Sequence, residues 1–95
     1  MEPPTPGQVL RQNYMVPLGL TVPRLSRELH IPAGRLTAVI AGKRPITADL
    51  ALRLGRYFGM NPETWLALQA AYELQMVERR SGRQIEQLIA PLEAA

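Results

Sequence analysis

The sequence predicts an all-α fold of five helices, and three kinds of observation support this. Apolar residues recur every three or four positions, which is the spacing of one helix face, and no β-type alternation competes with it. Thr21, Thr47 and Asn61 stand where helix N-caps are expected. Gly42 and Gly59 stand where helices should end. Five helical segments followed by a tail account for the 95 residues.

The segments follow one another in a simple order. Residues 1–7 contain three prolines and predict an extended arm, with Pro6 suited to begin the first helix. Pro17 and Gly19 end that helix, and the four later helices lie between the capping residues. The side chains expected to face the core are Val9, Leu10, Tyr14, Met15, Leu25, Leu29, Ile31, Leu36, Val39, Ile40, Leu50, Ala51, Leu54, Phe58, Trp65, Leu68, Tyr72 and Met76.

The carboxyl-terminal end is expected to be separate from the domain. Ser81 and Gly82 interrupt the apolar pattern of the fifth helix. After them, a weak amphipathic segment from Ile85 to Leu92 is broken at Pro91. The predicted organisation is therefore an arm, a helix-turn-helix domain and a tail with a helical segment, at residues 1–7, 8–80 and 81–95.

Composition excludes several classes of protein. There are no cysteines, so disulfides and thiolate metal sites are absent. No apolar run reaches the ~18 residues of a membrane span, and no signal peptide opens the chain. These features predict a soluble cytoplasmic protein with no cofactor, no metal and no membrane partner.

Charge is distributed unevenly along the chain, whose net charge is +3. Residues 21–56 hold seven basic and two acidic side chains, whereas residues 60–95 hold three basic and five acidic ones. This separation predicts a basic surface for an anionic partner and a second surface of different character.

The segment from Thr21 to Lys43 predicts a helix-turn-helix. Two short helices are joined by a tight turn, in which His30 stands where the chain should adopt a left-handed conformation. The apolar residues Leu25, Leu29, Ile31, Leu36 and Val39 would pack the helices at a steep angle. Such a pair lets its second helix enter a DNA major groove, which is about 12 Å wide. The sequence therefore predicts binding of double-stranded DNA.

The candidate DNA contacts lie on the second helix and beside it. Arg35 is suited to a bidentate contact with guanine, and Thr37 to a thymine methyl or a phosphate. Small neighbours let the helix sit close to the bases. Arg24, Lys43 and Arg44 are placed for phosphates, as are Thr21 and the N–H groups of its helix. The full set is Thr21, Arg24, Ala33, Gly34, Arg35, Thr37, Ala38, Lys43 and Arg44.

Alternative interpretations remain open at this point. The rather apolar outer face and Val22 also suit a protein-binding module that uses the same scaffold. Trp65, Leu68 and Tyr72 suit either core packing or a partner-binding stripe. Catalysis finds no support, because His30 has no helpfully spaced carboxylate, and Asp49 and Glu63 are explained by helix N-termini.

Longer motifs resemble one family. The chain is similar to the HigA-type antitoxins, the addiction-module antidote or VapI-like proteins, within the Xre, lambda-repressor-like helix-turn-helix group. The resemblance covers about Pro6 to Leu74. Its most specific parts are Pro6-Gly7 with Leu10-Arg11, Pro17-Leu18-Gly19-Leu20-Thr21, Gly42-Lys43-Arg44-Pro45-Ile46-Thr47-Ala48-Asp49 with Ala51-Leu52-Arg53-Leu54, and Pro62-Glu63-Thr64-Trp65-Leu66-Ala67-Leu68-Gln69 with Tyr72 and Leu74.

The resemblance implies a five-helix, lambda-repressor-like DNA-binding domain and an antitoxin function. It implies neutralisation of a HigB-like toxin, a RelE-type mRNA endonuclease, and repression of the shared operon by a homodimer on an inverted repeat. A stand-alone Xre-type regulator without a toxin is the alternative. The chain departs from the family pattern at Val22, Ser26, His30 and Pro32-Ala33-Gly34, which affects the expected base contacts rather than the fold.

Overall fold

A computed structural model describes residues 3–93, and every regular element in that range is helical. The first helix consists of α1 (Pro6–Val9) and a π-helical continuation (Leu10–Met15). The other four are α2 (Val22–Leu29), α3 (Ala33–Ile40), α4 (Ala48–Phe58) and α5 (Pro62–Leu88). The predicted all-α, five-helix fold is confirmed.

The predicted capping residues fix the ends of the helices. Thr21, Thr47 and Asn61 accept backbone hydrogen bonds in the first turns of α2, α4 and α5, at 3.2, 3.3 and 2.9 Å. Gly59 ends α4 with φ 68°, and His30 ends α2 with φ 57° and ψ 45°. Left-handed geometry turns the chain sharply at both places. Local side chains thus set where three helices begin, and left-handed backbone at two residues sets where two helices end.

The first helix begins inside the predicted arm. Thr5 and Gln8 form a capping box, in which the Gln8 N–H donates to the Thr5 hydroxyl at 3.1 Å and the Thr5 N–H donates to the Gln8 amide oxygen at 2.8 Å. Pro6 and Gly7 are therefore helical and buried. The predicted extended arm of residues 1–7 is too long, and residues 1 and 2 lie outside the described part.

The predicted break at Ser81-Gly82 is wrong. Helix α5 continues through it to Leu88, so the predicted domain boundary after residue 80 falls inside one helix. A glycine within a helix costs only about 1 kcal/mol relative to alanine, and good helix formers flank this one. The helix ends where Ile89 becomes extended, with φ −116° and ψ 111°, two residues before Pro91. The predicted helical segment of the tail is thus the end of α5.

The core lies among all five helices and contains most of the predicted residues. The buried apolar side chains are Leu10, Met15, Leu25, Leu29, Ile31, Leu36, Val39, Ile46, Leu50, Ala51, Leu54 and Trp65. Ile46 was not predicted. The predicted core residues Tyr14, Ile40, Phe58 and Leu68 are partly buried and pack against this core. The Trp65 ring centroid lies 5.0 Å from that of Tyr14, so Trp65 is a core residue and not part of a partner-binding stripe.

Helices α1 and α3 approach too closely for a side chain between them. A Cβ added to Gly7 would lie 1.9 Å from the Val39 carbonyl oxygen. A Cβ added to Gly34, on the outer side of α3, would have no atom from another part of the chain within 4 Å. The absence of a side chain at Gly7 therefore lets α3 pack against the first helix.

We expect G7A to lower the free energy of unfolding by about 2 kcal/mol or more, because backbone must move to admit the methyl group. G34A is the matched control, since it makes the same change in an open helical position and should be neutral or stabilise by up to about 1 kcal/mol. Urea denaturation measures both. Equal effects of the two substitutions would show that the close approach does not determine stability.

Candidate nucleic-acid interface

Helix α3 has one face in the core and the other at the surface. Leu36 and Val39 are buried and hold the helix to the domain. The predicted contact residues Ala33, Gly34 and Thr37 are exposed, while Arg35 and Ala38 are half-buried. Helix α3 is therefore presented outward, as the helix-turn-helix prediction requires.

The turn before α3 is closed by Arg53 from α4. Its guanidinium Nη1 donates to the carbonyl oxygens of Leu29 and His30 at 2.8 and 3.2 Å. Its Nε donates to the Asp49 carboxylate at 3.0 Å. Because helix carbonyls at a carboxyl terminus have no partner within the helix, Arg53 satisfies the end of α2 and fixes the direction of the turn. The sequence does not predict this contact, because Arg53 lies 24 and 23 positions from the two carbonyl groups that it binds.

A second contact joins α2 to α4. The Tyr57 hydroxyl donates to Glu28 Oε2 at 2.5 Å. This hydrogen bond is the main cause that lowers the pKa of Glu28, and it raises the pKa of Tyr57. Arg24 Nε also pairs with Glu28, at 3.3 Å. The predicted phosphate contact Arg24 therefore lies on the exposed side of α2 with a neighbouring carboxylate.

The loop after α3 presents the predicted basic pair. Lys43 and Arg44 are both exposed. The Lys43 N–H donates to the Ala38 carbonyl at 2.9 Å, and the Ile46 N–H donates to the Gln69 side-chain oxygen at 2.9 Å. These bonds anchor both ends of the loop to α3 and α5. Lys43 and Arg44 thus stand on a fixed backbone.

Arg35 and Arg44 lie on one face of the molecule. Together with Val39, Pro45 and Thr47 they line a shallow groove of about 400 Å³. The Arg35 Nη2 donates to the Thr47 hydroxyl at 3.2 Å and lies 3.8 Å from Asp49 Oδ2. These two contacts with the start of α4 were not predicted, because they join residues that are 12 and 14 positions apart.

A second surface groove lies where the first helix meets α2 and α3. Its volume is about 430 Å³, and Arg11, Thr21 and Thr37 are among the residues that line it. Thr21 and Thr37 are thus neighbours, as one DNA-binding surface requires. Arg11 is exposed at this place, and sequence reasoning missed it because the first helix carried no DNA-binding motif. Arg11 lies beside the N-terminus of α2 only in the tertiary structure, so no signal in the sequence indicates this position.

Other kinds of site find no support in residues 3–93. No group of three His, Asp or Glu side chains in this range is arranged to hold a metal ion. No helix in the same range is long and apolar enough to cross a membrane. The predicted contact residues from Ala33 to Arg44 lie on α3 and in the loop that follows it, whereas Thr21 and Arg24 lie at the start of α2.

Comparison with known proteins gives one consistent family. No protein-family model matches the chain. Virulence-associated protein I of Dichelobacter nodosus is 42% identical over 87 residues, which are 92% of this chain and 79% of that protein. An addiction module antidote protein of the HigA family from Coxiella burnetii is 41% identical, with a TM-score of 0.91 over 97% of this chain and 100% of that one.

A further solved structure includes DNA. The antitoxin HigA of Pseudomonas aeruginosa, determined with the higBA promoter, is 35% identical and has a TM-score of 0.91 over 96% of this chain and 100% of that one. Sequence identity of 35–41% over nearly the whole of both chains indicates membership of the same family and not only a shared fold. This chain belongs to the HigA family of antitoxins, in the helix-turn-helix class.

Proposed function

We propose that this protein is the antitoxin of a type II toxin–antitoxin module, and that it represses its own operon by binding an operator as a dimer. The observation that carries the proposal is the exposed outer face of α3, with Arg35 and Arg44 on the same side of the molecule. The related HigA of Pseudomonas aeruginosa was determined with promoter DNA, which supports binding of operator DNA by this protein. Such a function belongs in the cytoplasm.

The DNA contacts divide into two groups. Thr21, Arg24, Lys43 and Arg44, with Arg11 added from the structure, are placed for phosphates around α3. Ala33, Gly34, Arg35, Thr37 and Ala38 form the surface that enters the major groove, and Arg35 is the side chain suited to reading guanine. In a dimer, the two copies of α3 would enter successive major grooves about 34 Å apart on an inverted repeat.

Replacement of Lys43 and Arg44 by alanine should weaken binding to operator and scrambled duplexes alike. Each lost phosphate contact removes about 0.9 from the slope of log affinity against log salt, so we expect a slope shallower by about 1 to 2. Fluorescence anisotropy at several salt concentrations measures it, using a duplex from the region upstream of the gene.

The matched control for this pair is the R79A, R80A variant, which removes the same charge from the exposed side of α5. Its oligomeric state should first be checked by light scattering. If the slope of log affinity against log salt became equally shallow in the control, net charge, and not the loop after α3, would determine binding.

Replacement of Arg35 by alanine should relax sequence preference by about 1–3 kcal/mol, because a bidentate contact to guanine would be lost. The measurement compares the operator with duplexes changed at single base pairs and with a scrambled duplex. R27A, on an exposed part of α2, serves as the control for loss of one arginine. An unchanged preference in R35A would contradict the reading role of Arg35.

The toxin partner is proposed as a HigB-like, RelE-type mRNA endonuclease. We expect co-expression of this chain to restore growth in cells that express the toxin from the adjacent reading frame, and we expect the two proteins to purify together. A neighbouring frame that is neither toxic nor retained would favour a stand-alone regulator. Failure to retain duplex DNA at low salt would instead favour a protein-binding module.

A further inference from the structure

We propose that Asp49 and Thr47, at the start of α4, are positioning residues that hold Arg35 for reading DNA and so set the preference for operator over other sequences. The inference rests on the proposed function, since it assumes that Arg35 faces the duplex. Neither residue was among the candidate contacts from the sequence. Their role follows from where the structure places them.

The acceptors that hold Arg35 are themselves fixed. The Thr47 hydroxyl, 3.2 Å from Arg35 Nη2, also accepts the Leu50 N–H at 3.3 Å as the cap of α4. The Asp49 carboxylate, 3.8 Å from Arg35 Nη2, is bound by Arg53 Nε at 3.0 Å. The guanidinium is therefore held against the end of a helix rather than against mobile side chains.

The turn of the helix-turn-helix lies in the same network. Arg53, which holds Asp49, also binds the Leu29 and His30 carbonyl oxygens that end α2. A continuous set of polar contacts thus runs from the turn through α4 to Arg35. The direction of the turn and the position of Arg35 are consequently set together.

The restraint leaves Arg35 able to bind a base. Its Nε and Nη1 have no hydrogen-bond partner within residues 3–93, and its side chain is 31% exposed. Because Nη2 carries two hydrogens and only one is donated to Thr47, the other can still form a parallel pair with the N–H of Nε or Nη1 and face the guanine acceptors. Fixing the side chain beforehand also reduces the rotamer freedom that is lost on binding.

The Asp49 carboxylate also affects binding to other DNA. An arginine released from a carboxylate can reach a phosphate at any sequence, and phosphate contacts carry no sequence information. A carboxylate near the duplex also repels phosphates. Removal of Asp49 should therefore strengthen binding to all duplexes while it weakens discrimination among them.

The test measures affinity for the operator and for a scrambled duplex in wild-type protein, D49N, R35A and the double variant. We expect D49N to bind the scrambled duplex more tightly and to reduce the ratio of the two affinities about tenfold. In the R35A background, D49N should leave that ratio unchanged. A reduction of equal size in both backgrounds would overturn the positioning role.

E63Q is the matched control, because Glu63 and Asp49 are each the acidic residue in the first turn of their helix. E63Q gives the same change of net charge, and we expect the ratio to stay as in wild type. An equal reduction by E63Q would assign the effect to net charge and overturn the inference.

R35K tests the premise that Arg35 reads bases through its guanidinium, and it leaves α4 unchanged. Lysine keeps the positive charge but lacks the planar fork, so the ratio should fall as in D49N. A wild-type ratio in R35K would overturn the inference. If wild-type protein bound no duplex, the proposed function itself would fail, whereas discrimination lost in R35A but kept in D49N would contradict the positioning role alone.

Discussion

The closure of the turn between α2 and α3 by Arg53 is the interaction on which the DNA-binding surface depends. Helix α3 has only eight residues, and Leu36 and Val39 are its fully buried side chains. So short a helix has little stability of its own, and its direction must come from its packing and from the ends of its neighbours. Arg53 fixes the end of the neighbouring helix α2 by binding its last carbonyl oxygens. The absence of a side chain at Gly7 allows α3 to pack against the first helix.

The basic residues of this surface are of two kinds, which differ in whether an acidic side chain lies beside them. Lys43 and Arg44 form no ion pair with an acidic side chain among the described residues, and they project from a loop, which suits contacts with phosphates of any sequence. Arg35 instead shares Asp49 with Arg53. A charge that is already paired gains less from a phosphate, so geometry contributes more to what it binds. In the proposed function, affinity is therefore assigned to the exposed Lys43 and Arg44, and selectivity to the half-buried Arg35.

Much of the fold could be predicted from the sequence because it is determined locally. Thr21, Thr47 and Asn61 cap the helices that they precede, and His30 adopts the left-handed conformation that its place in the turn requires. The capping box of Thr5 and Gln8 was also local and was overlooked in a segment rich in proline. The continuation of α5 through Gly82 was not predicted, because the small free-energy cost of a glycine within a helix was interpreted as the end of the helix.

Contacts between distant residues could not be predicted in the same way. Gln69 binds the backbone of Ile46, 23 positions away, and Arg53 reaches Leu29 across 24. The sequence showed each as a polar residue on a helix, with no indication of its partner. The positioning of Arg35 belongs to this class. The outward face of α3 followed from its apolar spacing, whereas the groups that orient its side chains depend on tertiary structure.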